Sequence, residues 1–225
     1  MKTVKLVFLM LFTLLVLSAQ AKTVAIVIKA KGTVTIKNKE TGKSMQARRG
    51  TRLNDGDKIA TGKKGRAAVK FIDDNSLLRI RPNSTCLIQA KKEKNSIVKN
   101  IFVEFGAIFS SITKQNSFFR VTTPTSVASV KGTKFWTVQE YKGKTSYFGE
   151  EGVVEIANDA GVALLHKGET SVVTSKNSKP VVRKTKPGEK PGLNEDNAAG
   201  DEFELEFKDA QGKSKMLKFK VKKSE

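Results

Sequence analysis

One histidine and one cysteine are all that this 225-residue chain offers toward ordinary nucleophilic or transition-metal chemistry. A catalytic triad needs a histidine oriented by a partner, and a multi-histidine metal site needs several, so His166 can build neither alone. It stands beside Lys167 and Gly168 at an expected strand exit, where a turn role accounts for it. Cys86 alternates with Ile88 after the Pro82-Asn83-Ser84 break, which suits a thiol filling a small apolar slot. No histidine lies near it in sequence to activate it. Gly42-Lys43-Ser44, Gly143-Lys144-Thr145 and Gly212-Lys213-Ser214 imitate the end of a phosphate loop. That loop needs a glycine five residues earlier, where this chain has Lys37, Val138 and Phe207. The carboxylate pairs Asp73-Asp74 and Glu150-Glu151 sit in expected turns. Neighbours on a strand point to opposite faces, so neither pair is expected to form an acid/base couple. The sequence predicts no catalytic residue, no cofactor and no metal site.

Charge points toward binding instead. The formal net charge is +20, and it is uneven. Residues 22–100 carry 20 basic and 6 acidic side chains, whereas residues 101–175 carry 7 of each. A basic half of this kind attracts polyanions. Arg48, Arg49, Arg52, Lys63, Lys64 and Arg66 are the candidate contacts. Residues 1–21 read as a secretory leader: Lys2 and Lys5 precede an apolar run over 6–17, and Ser18-Ala19-Gln20-Ala21 offers a small-x-small cleavage site. The run is shorter than the roughly 20 residues that a membrane span needs. Cleavage after Ala21 predicts a periplasmic or secreted protein that is not an integral membrane protein once processed. Outside the cytoplasm nucleic acid is not the expected partner. Anionic lipid or a charged envelope polymer is.

The elements that must carry these residues are strands. Short β-branched runs at 24–28 and 34–36, then 67–72, alternate apolar and polar positions. Turn signals recur about every ten residues, which predicts an all-β domain, a short-stranded sandwich or a β-roll or solenoid-like stack, over 24–175. Only 103–112 has apolar spacing that fits helix and strand alike. Phe135 and Trp136 must face opposite ways on a strand, so one is either a binding anchor or lies under a second layer. Residues 176–200, with Pro180, Pro187 and Pro191, read as a flexible linker.

Residues 201–225 predict an amphipathic C-terminal β-hairpin. Phe203, Leu205 and Phe207 alternate with Glu202, Glu204 and Glu206, and Leu217, Phe219 and Val221 alternate with Lys218, Lys220 and Lys222. Folding about Gly212 pairs Phe203 with Val221 and Glu202 with Lys222, and so on along the strands. An isolated hairpin is marginal in water, so this one is expected to dock on the main domain or on a partner.

The run from Gly50 through Leu53, Gly56, Asp57 and Ile59 to Thr61-Gly62 resembles the core of the FecR domain. Asp74-Asn75-Ser76 with Pro82-Asn83-Ser84 is similar to a further stretch of that family. So is Thr123-Pro124 followed by Gly132, Thr133 and Phe135. These pieces follow one another in the family's order over about 24–175. The shared residues are turn formers, with Gly56-Asp57 and Thr61-Gly62 suited to tight corners and Asp57 to an Asx-turn. The resemblance implies envelope signalling, because FecR proteins relay occupancy of an outer-membrane iron-chelate receptor to a cytoplasmic sigma factor. This chain differs from that plan in its cleavable leader and its hairpin end. The expectation is a non-catalytic exported protein that contacts a protein partner in the cell envelope, with polyanion binding by the basic half as the alternative.

Overall fold

Alternating apolar and polar side chains dictate strands, and strands are what form. The computed structural model describes residues 23–93, 96–113, 118–192, 202–208 and 214–220, with no helix among them. The leader at 1–21 and the expected hairpin turn at Gly212 lie outside the described residues. Nine strands come first: β1 Thr23–Lys31, β2 Val34–Lys37, β3 Ser44–Gln46, β4 Arg52–Asn54, β5 Lys58–Thr61, β6 Arg66–Phe71, β7 Leu77–Ile80, β8 Thr85–Glu93 and β9 Ser96–Ser111. Eight more follow: β10 Phe119–Thr122, β11 Val127–Val130, β12 Lys134–Gln139, β13 Thr145–Glu151, β14 Val154–Asn158, β15 Gly161–Leu165, β16 Glu169–Val173 and β17 Val181–Lys184. A hairpin of β18 Glu202–Lys208 and β19 Ser214–Lys220 completes the set.

The first 17 strands form one continuous, open sheet that divides into two layers at β9. One layer runs β4-β1-β6-β7-β9-β12-β13-β16-β17. The other runs β3-β2-β5-β8-β9-β10-β11-β14-β15. Neighbours are antiparallel except β9 and β10, which run parallel. The first half of β9 pairs with β8, and from Gly106 onward it pairs with β12. The stretch 103–112, ambiguous by spacing, is thus mostly the strand that joins the layers.

Inward side chains of both layers meet in one core, including Val69, Phe71, Ile108 and Phe135 from the first and Ile59, Ile88, Ile101 and Ile156 from the second. Burial of such side chains, worth about 1.5–3 kcal/mol each, is what holds the layers together. Phe135 and Trp136 do face opposite ways, yet both are fully buried. Trp136 packs with Phe109 and Phe148 in a small cluster on the outer side of the first layer.

The expected linker, 176–200, differs at its start, where β17 extends the sheet along β16. Pro180 precedes the strand and β17 is an edge, so no ladder hydrogen bond is lost to the proline. Beyond it, Arg183 grips Glu189 through both guanidinium nitrogens and holds that carboxyl down at about 2. Lys190 Nζ then meets Glu150 Oε1 at 2.8 Å. The hairpin forms, but with its register offset by two residues from the expected one: Phe203 lies opposite Phe219 and Glu204 opposite Lys218. A two-residue slip keeps every side chain on its own face, so alternation cannot tell the two registers apart.

Candidate functional site

Most residues of the turn pattern tie the scaffold together. Asp57 is buried, and its two carboxylate oxygens serve two loops. Oδ1 accepts from Asn38 Nδ2 at 3.0 Å and the Lys39 amide at 3.1 Å, while Oδ2 accepts from the Asn54 amide at 2.9 Å. The Gly56 amide donates to Ile88 O at 2.7 Å, which sews the same corner to β8. Gly50 and Gly62 donate to Val27 O and Thr33 O at 2.8 and 2.9 Å. Thr61 Oγ1 donates to Arg81 O at 2.6 Å and accepts from the Ser84 amide at 3.0 Å. Ser84 Oγ accepts in turn from the Ala107 amide at 3.0 Å, at the point where β9 changes layer. Gly106 has φ +99 there, and a Cβ on it would lie 2.2 Å from Ser84 Oγ and 2.4 Å from Ser84 Cα. Only glycine fits that bend.

Thr123 anchors a second buried hydroxyl network. Its Oγ1 lies 2.9 Å from Thr145 Oγ1 and accepts from the Ser126 amide at 3.2 Å, and Ser126 Oγ lies 2.9 Å from the Tyr147 hydroxyl. Burial pushes the Tyr147 hydroxyl up to about 12, with the Ser126 and Thr123 hydrogen bonds offsetting part of the effect. Pro124 sits exposed at the outside of this corner. Gly132 lies in the turn before β12, Thr133 O accepts from the Ile112 amide at 2.8 Å, and Phe135 fills the core. The Thr123, Ser126, Thr145 and Tyr147 hydroxyls satisfy one another inside the fold.

The titratable groups divide sharply. Cys86 is fully buried, and burial followed by the Glu104 charge pushes its thiol up to about 12, so it stays a packed thiol at neutral pH. His166 is exposed in the turn before β16, where its amide donates to Glu169 Oε2 at 3.0 Å. Among the described residues, no group of three or more His, Cys, Asp or Glu is placed to hold a metal ion.

Asp73 and Asp74 depart from expectation. They occupy the expected turn, but both carboxylates converge on Lys99, whose side chain is 0% exposed. Asp73 Oδ2 lies 2.7 Å from Lys99 Nζ, Asp74 contacts the same nitrogen, and the ammonium sits 5.2 Å from the centre of the Phe71 ring. Burial works to raise the Asp74 carboxyl. The Lys99 hydrogen bond, the Ser76 amide and the Lys99 charge outweigh it and hold Asp74 below the usual carboxylate range. Sequence reasoning passed over this cluster. The available signal was phase: Lys99 shares the inward parity of Ile101 and Val103 on β9.

Among the described residues, two surfaces stand out that can meet a partner. The first is basic. Lys63, Lys64 and Arg66 lie on or next to the turn that bonds to the Gly32-Thr33 turn, while Arg48, Arg49 and Arg52 flank β1 from the other side. The Ala47 amide, which donates to Val34 O at 2.7 Å, brings the two groups to neighbouring corners. Segments 24–34, 46–53, 60–70 and 81–86 together hold ten bases and no acid.

The second is apolar. A groove of about 380 Å³ opens on the outer side of the second layer, between β10, β11, β14 and β15. Phe118, Val153 and Leu164 line it at 48%, 44% and 52% exposure. Arg120, Lys131 and Glu155 line it as well, and Lys131 Nζ stands 5.1 Å from the centre of the Phe118 ring. Along one side runs β15, which pairs only with β14 and carries exposed Val162 next to Leu164 in the outward phase.

Residues 57–155 match the family described as FecR protein. Two crystal structures of a candidate anti-sigma factor from Parabacteroides distasonis are similar at 17% identity and a TM-score of 0.49. The match covers 56% of this chain and 59% of those structures. No curated protein matches the chain.

Proposed function

From a chain whose residues 57–155 match the FecR family, we propose an exported, non-catalytic protein that acts through protein–protein contacts in the cell envelope, in sensing or signalling. The observation that carries this reading is the open edge of β15. Gly161–Leu165 is an edge strand with no charge and no proline, and its outward side chains Val162 and Leu164 stand exposed beside a groove. Natural sheets protect such an edge unless something pairs with it, and strand addition along an edge with side-chain pockets beside it is a common mode of recognition. The leader at 1–21 supports a periplasmic or secreted location. The division proposed is leader, β domain from residue 24, connecting segment and hairpin over 201–225.

The test is affinity capture from cross-linked envelopes, wild type against Val162→Lys/Leu164→Glu. A stoichiometric protein partner lost from the variant supports the reading. Recovery of none, or equal recovery by the variant, overturns it. A second reading has its own support in the basic segments around β1, which hold ten bases and no acid: an anionic lipid or envelope polymer binds Arg48, Arg49, Arg52, Lys63, Lys64 and Arg66. Such binding weakens steeply between 50 and 200 mM salt, on the order of the Debye screening at those strengths, whereas salt-independent binding would exclude it.

A further inference from the structure

Exposed large apolar side chains are mostly scattered singly over this surface, as Met45, Ile72, Tyr141 and Val181 are. Single exposures need no explanation, but contiguous ones do. Phe118, Val153, Val162 and Leu164 gather on the outer side of β10, β11, β14 and β15. The outer side of the other layer is closed, since Trp136, Phe109 and Phe148 are all buried there. Among the described residues, this outer side thus carries an uncovered apolar groove.

The chain also holds an apolar stripe outside the β domain. The β18–β19 register puts Phe203, Leu205 and Phe207 at the same phase as Leu217 and Phe219, with Lys215 at the end of the stripe opposite Phe207. A two-stranded hairpin needs another surface to be stable. We infer that the β18–β19 hairpin is the occupant of this groove and docks in cis with its apolar face over Phe118, Val153 and Leu164.

Reach permits it. Lys190 is tied to Glu150 at 2.8 Å, and Glu150 precedes Val153 by three residues. Even with both side chains extended, Lys190 therefore starts within roughly 25 Å of Val153. The twelve residues from Lys190 to Glu202 span up to about 40 Å. Size permits it too: 380 Å³ is at the lower end of the roughly 300–1,000 Å³ of ligand pockets, room for two or three large side chains. Docking there covers the surface beside β15, so the hairpin competes with whatever pairs with that edge. The docking itself does not depend on the partner reading.

Amide hydrogen exchange on the intact protein tests this, compared with a Val153→Asp/Leu164→Asp variant. Trp136, the lone tryptophan and fully buried, reports by its fluorescence that the variant keeps its fold. The expected result is slow exchange over 202–208 and 214–220 in the wild type, at least tenfold faster in the variant, and independent of protein concentration. Hairpin amides that exchange freely in the wild type overturn the inference. So does equal protection in the variant, which places the hairpin elsewhere, or protection that grows with concentration, which assigns the groove to a second copy. If the variant unfolds, a disulfide between cysteines introduced at Leu164 and Leu205 decides: monomeric cross-linked protein supports cis docking, and its absence under oxidation refutes it.

Discussion

Replacing Lys99 with methionine isolates the energetics of the buried ion cluster. Methionine keeps the unbranched stem of the side chain and removes the charge, leaving Asp74 at 1% side-chain exposure without its cation. Asp73, 21% exposed, can turn toward water, so most of the penalty falls on Asp74. Removing one partner of a buried pair costs about 3–5 kcal/mol, because a desolvated charge is left behind. At about 2–4 °C per kcal/mol for a domain of this size, the melting temperature should fall by roughly 6–20 °C. Urea unfolding followed by Trp136 fluorescence reads the free energy directly. The pH dependence gives an independent check. In the wild type the Asp74 carboxyl is held below its ordinary value of 3.8, so its contribution is fully present above that value and is lost as pH falls through the lower, folded one. In the variant burial persists while the Lys99 hydrogen bond and charge are lost, so the carboxyl should rise from its wild-type position. Protonation then relieves the variant, and its deficit against the wild type should shrink from pH 7 toward pH 4. Adding Asp74→Asn, which keeps an acceptor for the Ser76 amide, should recover more than half of the loss. A penalty below about 1 kcal/mol, or one that stays constant with pH, would refute this account of the cluster.

Gly106→Ala should destabilise by several kcal/mol or prevent folding, since a left-handed residue costs about 1–3 kcal/mol and the new methyl meets the Ser84 backbone; a melting temperature within 2 °C of wild type, on the order of one-half to 1 kcal/mol, would contradict it. Asp57→Ala strands the Lys39 and Asn54 amides and should cost about 2–4 kcal/mol in urea unfolding, with Asp57→Asn in between. Tyr147 should not ionise below pH 11 in the folded protein, which ultraviolet difference spectra can follow against the exposed Tyr141. Tyr147→Phe should cost about 1–2 kcal/mol, through the buried Ser126 hydroxyl that it leaves without that partner.

Strand alternation was legible because a two-residue period follows directly from backbone geometry, and so the all-β character and the hairpin pairing could be read from spacing alone. Turn residues were legible for a similar reason, as positive φ and local side-chain bonds leave few choices beyond glycine, asparagine and aspartate. The hairpin's offset was not, since registers two residues apart present the same faces. The fate of Trp136 was hidden too, because what covers the outer side of a sheet comes from elsewhere in the chain.

The Lys99 cluster marks the same boundary most clearly. Residues 73 and 99 are 26 positions apart, and nothing local says that a turn and a strand will bring their charges together. From the order of its residues alone the chain determines strands, corners and a basic first half. Which charges meet, where β9 bends between layers and where an apolar groove stays open were decided by long-range packing, because burial and ion pairing act between surfaces that exist only once the strands are assembled.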